Sequence, residues 1–233
     1  MKKIKIINLG EAPLDVVENE IIKNENLEII GAKDRYENLR IDFQNTDAIF
    51  IVLNTNLENE RNIALKVIED AERSDFIGIF DTGNGDAELF DSKINFITNC
   101  ETAEEIKIGL NGIVSSLINE GLVNIDLDDL KVLFEKTSKV SFVSEVGELK
   151  DIETFLENLK SKLETLQKNK DGRVFINITG GPEISLHQIR DIVEVVSNIF
   201  EKATIIWCCL LNPEYEESIE VTVYEIVQEH SEL

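Results

Sequence analysis

Basic side chains are scarce in this 233-residue chain: 23 lysines and arginines stand against 46 aspartates and glutamates, a formal net charge of −23. A field of that sign repels nucleic acid and anionic lipid, which disfavours DNA-binding and membrane-surface roles. It also makes a triphosphate hard to hold without a local basic patch or a bound cation. Histidine is scarcer still, with only His187 and His230. A zinc site or a Ser/His triad therefore has almost no raw material. The three cysteines, Cys100, Cys208 and Cys209, show no framework spacing, which suggests a reducing cytoplasm. Cys208 and Cys209 lie in an apolar run and read as buried strand residues. No apolar run is long enough to cross a bilayer, and the basic-then-apolar start, Met1–Ile7, is too short for a signal peptide.

What is present fits a globular chain: 42% hydrophobic and 30% charged residues, enough for one large domain or two small ones. Short β-branched runs at Ile4–Ile7, Leu27–Ile30, Ala48–Leu53, Phe76–Phe80 and Ile94–Ile97 suit strands covered on both faces. Between them, Leu14, Val17 and Ile21, and then Ala64, Val67, Ile68 and Ala71, recur at helical spacing. This βαβ rhythm predicts a doubly wound parallel sheet. Thr102 and Glu105 form a capping box for a helix whose stripe is Ala103, Ile106, Leu110, Ile113 and Leu117. Gly121 is placed to end it in the left-handed conformation.

The second half begins near residue 122. Asp126 or Asp128 can cap a short helix with Leu130, Leu133 and Phe134. Strands are expected at Val140–Val143, Val174–Ile178, Thr204–Leu211 and Ile219–Val227. Helices are expected at Ile152–Leu166 and, behind the box Ser185–Gln188, through Phe200. Residues 167–172 and Asn212-Pro213-Glu214 read as turns. Asp81-Thr82-Gly83-Asn84-Gly85-Asp86 also reads as a turn. Flanking acids spoil it as a phosphate loop, and it lacks the twelfth-position Glu of an EF-hand.

Two stretches carry a family resemblance. Gly121-Leu122-Val123-Asn124-Ile125-Asp126-Leu127-Asp128-Asp129 resembles the catalytic loop of FtsZ, the bacterial tubulin-like division GTPase, with its pattern Gly-Leu-Xaa-Asn-Xaa-Asp-Xaa-Xaa-Asp. Asn177-Ile178-Thr179-Gly180-Gly181-Pro182-Glu183-Ile184-Ser185-Leu186 resembles the strand–turn–helix signature of the FtsZ C-terminal domain. Gly112-Ile113 and Ile219–Val223 add to these in the family's order and spacing. The resemblance covers roughly residues 100 to 227. It implies an α/β fold with a trimmed Rossmann-like N-terminal domain over 1–100, a central helix over 101–120 and an FtsZ-type C-terminal α/β domain over 121–233.

The first half matches that family in rhythm only. The glycine-rich turn expected after the first strand reads Asn8-Leu9-Gly10-Glu11-Ala12-Pro13-Leu14-Asp15, with one glycine. The signature Gly-Gly-Gly-Thr-Gly is replaced by Asn54-Thr55-Asn56-Leu57-Glu58-Asn59-Glu60-Arg61, with none. A phosphate cradle needs inward-facing amides unobstructed by Cβ atoms at a helix N-terminus. Here side chains crowd it, and Glu58 and Glu60 add like charge. In the family one subunit holds GTP and the next supplies carboxylates. The resemblance thus makes Asn124, Asp126 and Asp129 groups acting in trans, while the receiving site looks dismantled. The same three residues are also ordinary helix-capping types. Gly180-Gly181-Pro182 reads as a backbone device, not a binding site.

The expectation is a cytoplasmic, FtsZ-like cytoskeletal or cell-division protein that has lost GTP binding, needs no cofactor, and acts through self-association or contact with a conventional FtsZ. Nucleic acid is not expected because of the acidic charge, and direct membrane recruitment is not expected because the sequence stops at His230-Ser231-Glu232-Leu233 without the family's recruiting tail. The alternatives are a diverged GTPase that still takes GTP and Mg²⁺, through Gly10 and the 54–61 loop, and a fold reused for an unrelated ligand.

Overall fold

A computed structural model describes residues 2–10, 25–31, 41–71, 73–85, 87–90, 93–134, 138–166 and 172–228. The expected helix through Leu14, Val17 and Ile21, residues 11–15 of the first loop, Asp86, the 167–171 turn and the last residues from 229 lie outside the described residues. The chain divides into two compact units, one built mainly from residues up to Ile118 together with Phe134–Lys139, the other from Asn119–Leu133 and Val140–Gln228.

The first unit carries β1 (Ile4–Asn8), β2 (Leu27–Gly31), β3 (Ala48–Leu53), β4 (Phe76–Asp81) and β5 (Phe96–Asn99). They form a parallel sheet in the order β2-β1-β3-β4-β5. All six residues of β3 are buried, as a central parallel strand requires. Helix α1 (Glu58–Asp70) lays Ala64, Val67 and Ile68 against Ile49, Ile51, Leu53, Ile77, Ile79 and Ile97. Strand alternation turns Phe50, Phe76, Phe80 and Phe96 to the opposite face, where they meet Phe134 with ring centroids 4.9–6.5 Å apart.

Strand β5 starts two residues later than Ile94. Asn95 is the reason: its side-chain Oδ1 accepts from Ile77 N–H at 2.8 Å, so a side chain takes the bond that a strand carbonyl would. Helix α2 (Ala103–Ile118) keeps its cap, with Glu105 N–H donating to Thr102 Oγ1 at 3.1 Å. The reciprocal arm lands one residue early, because Glu105 Oε2 accepts from Glu101 N–H at 2.6 Å. Ala103, expected on the apolar stripe, is exposed.

The second unit comprises β6 (Gly121–Val123), α3 (Leu127–Leu133), β7 (Ser138–Glu148) from Val140 onward, α4 (Ile152–Leu163), β8 (Arg173–Gly180), α5 (Leu186–Ile199), β9 (Thr204–Leu211) and β10 (Ser218–Gln228). The strand order is β7-β10-β8-β9-β6. Central β8 runs antiparallel to β10 and parallel to β9, the latter reached through the α5 crossover. The core joins Phe155, Leu159 and Leu163 of α4 with Ile189, Ile192 and Val196 of α5 and with Ile176, Ile178, Val221 and Val223 of the sheet. Ser185 caps α5 as expected, its hydroxyl accepting from Gln188 N–H at 3.3 Å while Gln188 Oε1 accepts from Ser185 N–H at 2.9 Å.

Gly121 does not end α2 in a left-handed turn; no glycine among the described residues has positive φ. It opens β6, where a Cβ would lie 2.1 Å from Cys209 O, so close strand approach is what glycine permits there. Gly181 serves the same end. The Asn212–Glu216 connection must step across β8 to place β10 on its far side, and a Cβ at Gly181 would sit 1.6 Å from Glu216 O. Pro182 lies four residues before α5 begins, in a turn closed by Ile184 N–H donating to Gly181 O at 3.1 Å.

Candidate functional site

Three loops bear on function, one in the second unit and two in the first. In the second unit the Asn124–Asp129 stretch joins β6 to α3. Asn124 Oδ1 accepts from Gly121 N–H at 2.8 Å and folds the loop back on the strand start. Asp126 Oδ1 accepts from Asp128 N–H at 2.8 Å and from Asp129 N–H at 3.0 Å, capping α3. Asp129 Oδ2 returns the contact, accepting from Asp126 N–H at 2.9 Å. The two aspartates therefore form a carboxylate capping box. Asn124 and Asp126 are exposed and Asp129 is half-buried, so the cap is made on a surface loop.

In the first unit the segment after β3 binds its own chain throughout. Asn54 N–H donates to Glu60 Oε2 at 2.6 Å, and Thr55 N–H to Asp81 Oδ1 at 2.8 Å. Asn56 N–H donates to Asn54 Oδ1 at 3.0 Å, and Leu57 N–H to Asn54 O at 3.0 Å. Arg61 turns its guanidinium back onto Thr55 O. Four consecutive amides leading into α1 are thus taken, two of them by carboxylates that are almost wholly enclosed, Glu60 and Asp81.

The loop after β4 is more than a plain turn. Asp81, fully buried at the strand end, also accepts from Gly83 N–H at 2.8 Å, Gly85 N–H at 2.5 Å and Thr55 Oγ1 at 2.6 Å. From the sequence Asp81 reads as an acid flanking a turn and Thr55 as one residue of a loop, with nothing that joins them. The available signal was an aspartate closing an otherwise apolar six-residue strand, with two glycines directly after it.

Beside these residues lies a cavity of about 320 Å³ at the carboxyl ends of β3 and β4 and the start of α2. Gly10, Asn54, Leu57, Glu60, Glu101 and Thr102 are among its lining residues. Carboxyl ends of parallel strands are where doubly wound sheets hold ligands. Glu60 and Glu101 give this cavity the charge of a carboxylate, not of a phosphate receptor.

Comparison with known proteins agrees with this architecture. Residues 144–227 match the family model described as FtsZ family, C-terminal domain. Cell division protein FtsZ 1 of Archaeoglobus fulgidus is 26% identical over 127 residues, covering 53% of this chain and 34% of that relative. Its counterpart from Pyrococcus woesei is 28% identical over the same shares. The matched segment thus spans about a third of these relatives' length. Among solved structures, an empty FtsZ dimer from M. jannaschii superposes with a TM-score of 0.72 at 16% identity, covering 97% of this chain and 88% of that one. CetZ from Methanosaeta thermophila gives 0.67 at 11% identity, over 96% and 86%. The fold is that of the tubulin/FtsZ superfamily. The sequence match is to FtsZ, with residues 144–227 the segment that fits the FtsZ C-terminal domain model. No helix among the described residues is long and apolar enough to cross a membrane.

Proposed function

We propose that this chain is a cytoplasmic FtsZ-like protein of the cell-division type that has lost GTP binding and works through subunit contacts, with copies of itself or with a conventional FtsZ. In this reading residues 1–100 are a degenerate nucleotide-type domain, 101–120 a connecting helix and 121–233 an FtsZ C-terminal-like domain. One observation carries it. The amides of Asn54, Thr55, Asn56 and Leu57, which a phosphate would need, are bonded to this chain's own oxygens, two of them from carboxylates. A triphosphate would have to displace both negative groups and then share the cavity with Glu101. The helix dipole offers only about 0.5–1 kcal/mol per anion in return.

Self-association is supported by the neighbouring M. jannaschii FtsZ structure, which is a dimer. The Asn124–Asp129 loop is the surface we assign to a neighbouring subunit, with exposed Asn124 and Asp126 and half-buried Asp129 as its polar groups. Isothermal titration with GTP, with and without Mg²⁺, is expected to give no heat of binding at micromolar nucleotide. Light scattering of a conventional FtsZ from the same cell is expected to change when this protein is added. Micromolar GTP affinity would sink the loss of binding. A protein that neither self-associates nor alters FtsZ polymerisation would sink the contact role.

A diverged GTPase is the second reading. The cavity favours it, since its volume of about 320 Å³ reaches the low end of small-molecule sites, roughly 300–1,000 Å³. The same titration separates the two.

A further inference from the structure

The Asp81 carboxylate sits in a receptor assembled from two loops. Thr55, after β3, gives its N–H to Oδ1 at 2.8 Å and its hydroxyl to Oδ2 at 2.6 Å. Gly83 and Gly85, after β4, give one N–H to each oxygen, at 2.8 and 2.5 Å. Each oxygen therefore accepts two bonds, one from each loop. The glycines make this possible, because a Cβ at Gly83 would lie 2.5 Å from Thr55 Oγ1 and one at Gly85 2.4 Å from it. Asn84 between them takes φ 58°, which aims the flanking amides to one side. Asp81 is fully buried, and among the described residues no lysine or arginine pairs with it. Among the described residues the donors that hold the carboxylate are neutral, the arrangement by which backbone nests bind anions.

From this we infer that the 55 and 83–85 loops form an oxyanion receptor whose ligand class is a carboxylate-sized oxyanion, and that Asp81 fills it as a built-in ligand. The loops after β3 and β4 are then fixed in an anion-bound shape that requires no external anion. This deepens the reading above, in which the adjoining segment no longer serves a phosphate.

Asp81→Ala removes the carboxylate and leaves both loops in sequence. Thermal unfolding of the full chain and of Asp81→Ala is followed while sodium formate is raised to about 0.2 M, with sodium chloride at matched ionic strength and formamide as the neutral isostere. The variant is expected to melt about 8 °C below the parent, since four donors, three of them buried, lose their acceptor. Formate should restore at least about half of that loss in a saturable way. Chloride and formamide should not, and the parent should not respond to formate. A variant as stable as the parent overturns the inference, and so does a formate response equal to that of chloride.

Should the variant fail to fold, hydrogen exchange on the parent decides. The amides of Thr55, Gly83 and Gly85 are expected to exchange at least about tenfold more slowly than that of Asn84 in the same loop. Equal rates overturn the receptor. GTP binding to the parent would sink the proposed function and leave the receptor standing. A missing formate response in a folded variant would do the reverse.

Discussion

Negative charge is turned inward at two residues of the first unit, Glu60 and Asp81, and this bears on a third side chain. Burial, with the charges of Glu105 and Asp81 behind it, pushes the Cys100 thiol up to about 12 from an ordinary value of 9.0. Burial also pushes Cys208 up to about 12 and Cys209 up to about 11. Thiolate at pH 8 is accordingly about a thousandfold rarer at Cys100 and Cys208 than in the open chain. Labelling by an aromatic disulfide at pH 8 should be slower than in denaturant by at least about a hundredfold for all three thiols. The linked effect on stability follows from the sign. These folded-state values lie above the unfolded one, so the stabilisation is whole below pH 9 and is lost as pH climbs toward 12. Urea midpoints should fall across that window, and Cys208→Ala should fall less steeply. Close backbone approach gives a second residue-scale outcome. Gly181→Ala, which would drive a Cβ to 1.6 Å from Glu216 O, should cost about 3 kcal/mol in urea unfolding. Gly31→Ala, with nothing within 4 Å of the new methyl, should stay within about 0.5 kcal/mol of the parent.

The α3 cap makes Asp126 a test of the whole element. Its carboxylate holds the amides of Asp128 and Asp129 at 2.8 and 3.0 Å, a job asparagine does equally well. Asp126→Ala should therefore lose about 1 kcal/mol of stability, and Asp126→Asn only a few tenths. If the loop also serves a neighbouring subunit through its charge, Asp126→Asn should keep the parent's urea midpoint and lose its effect on FtsZ light scattering. An unchanged effect would leave the cap as the residue's sole role. The contrast between cap and charge was legible in the sequence, because Asp126 and Asp129 stand at box spacing before Leu130 and Leu133. Strands β3 and β9 were legible to the residue, since their apolar runs are bounded by polar residues on both sides. What the sequence hid is tertiary. Gly121 and Gly181 are glycines because distant backbone, that of strand β9 at Gly121 and of the β9–β10 connection at Gly181, passes within contact of them, and local pattern carries no record of that neighbour. Likewise, turn residues 212–214 told that β9 and β10 are joined but not that β8 lies between them.

At the scale of the molecule, the net charge of −23 opposes any contact between copies. That repulsion reaches about 30 Å in 0.01 M salt and about 8 Å at physiological ionic strength. A protein that works through subunit contacts must therefore associate more strongly as salt screens the field, until the apolar and hydrogen-bonded part of the interface sets the limit. Sedimentation velocity from about 0.01 M to about 0.3 M sodium chloride should show the associated fraction rising and then levelling. Magnesium should reach the same plateau at lower concentration, because a divalent ion screens more strongly. Adding GTP at each point should leave the curve where it is, since the amides after β3 are already bonded to Glu60 and Asp81. Association that required GTP would overturn nucleotide independence. Association that weakened steadily with salt would mean that opposite charges, not screened like charges, govern the contact. The acidic balance would then be part of the interface instead of a barrier to it.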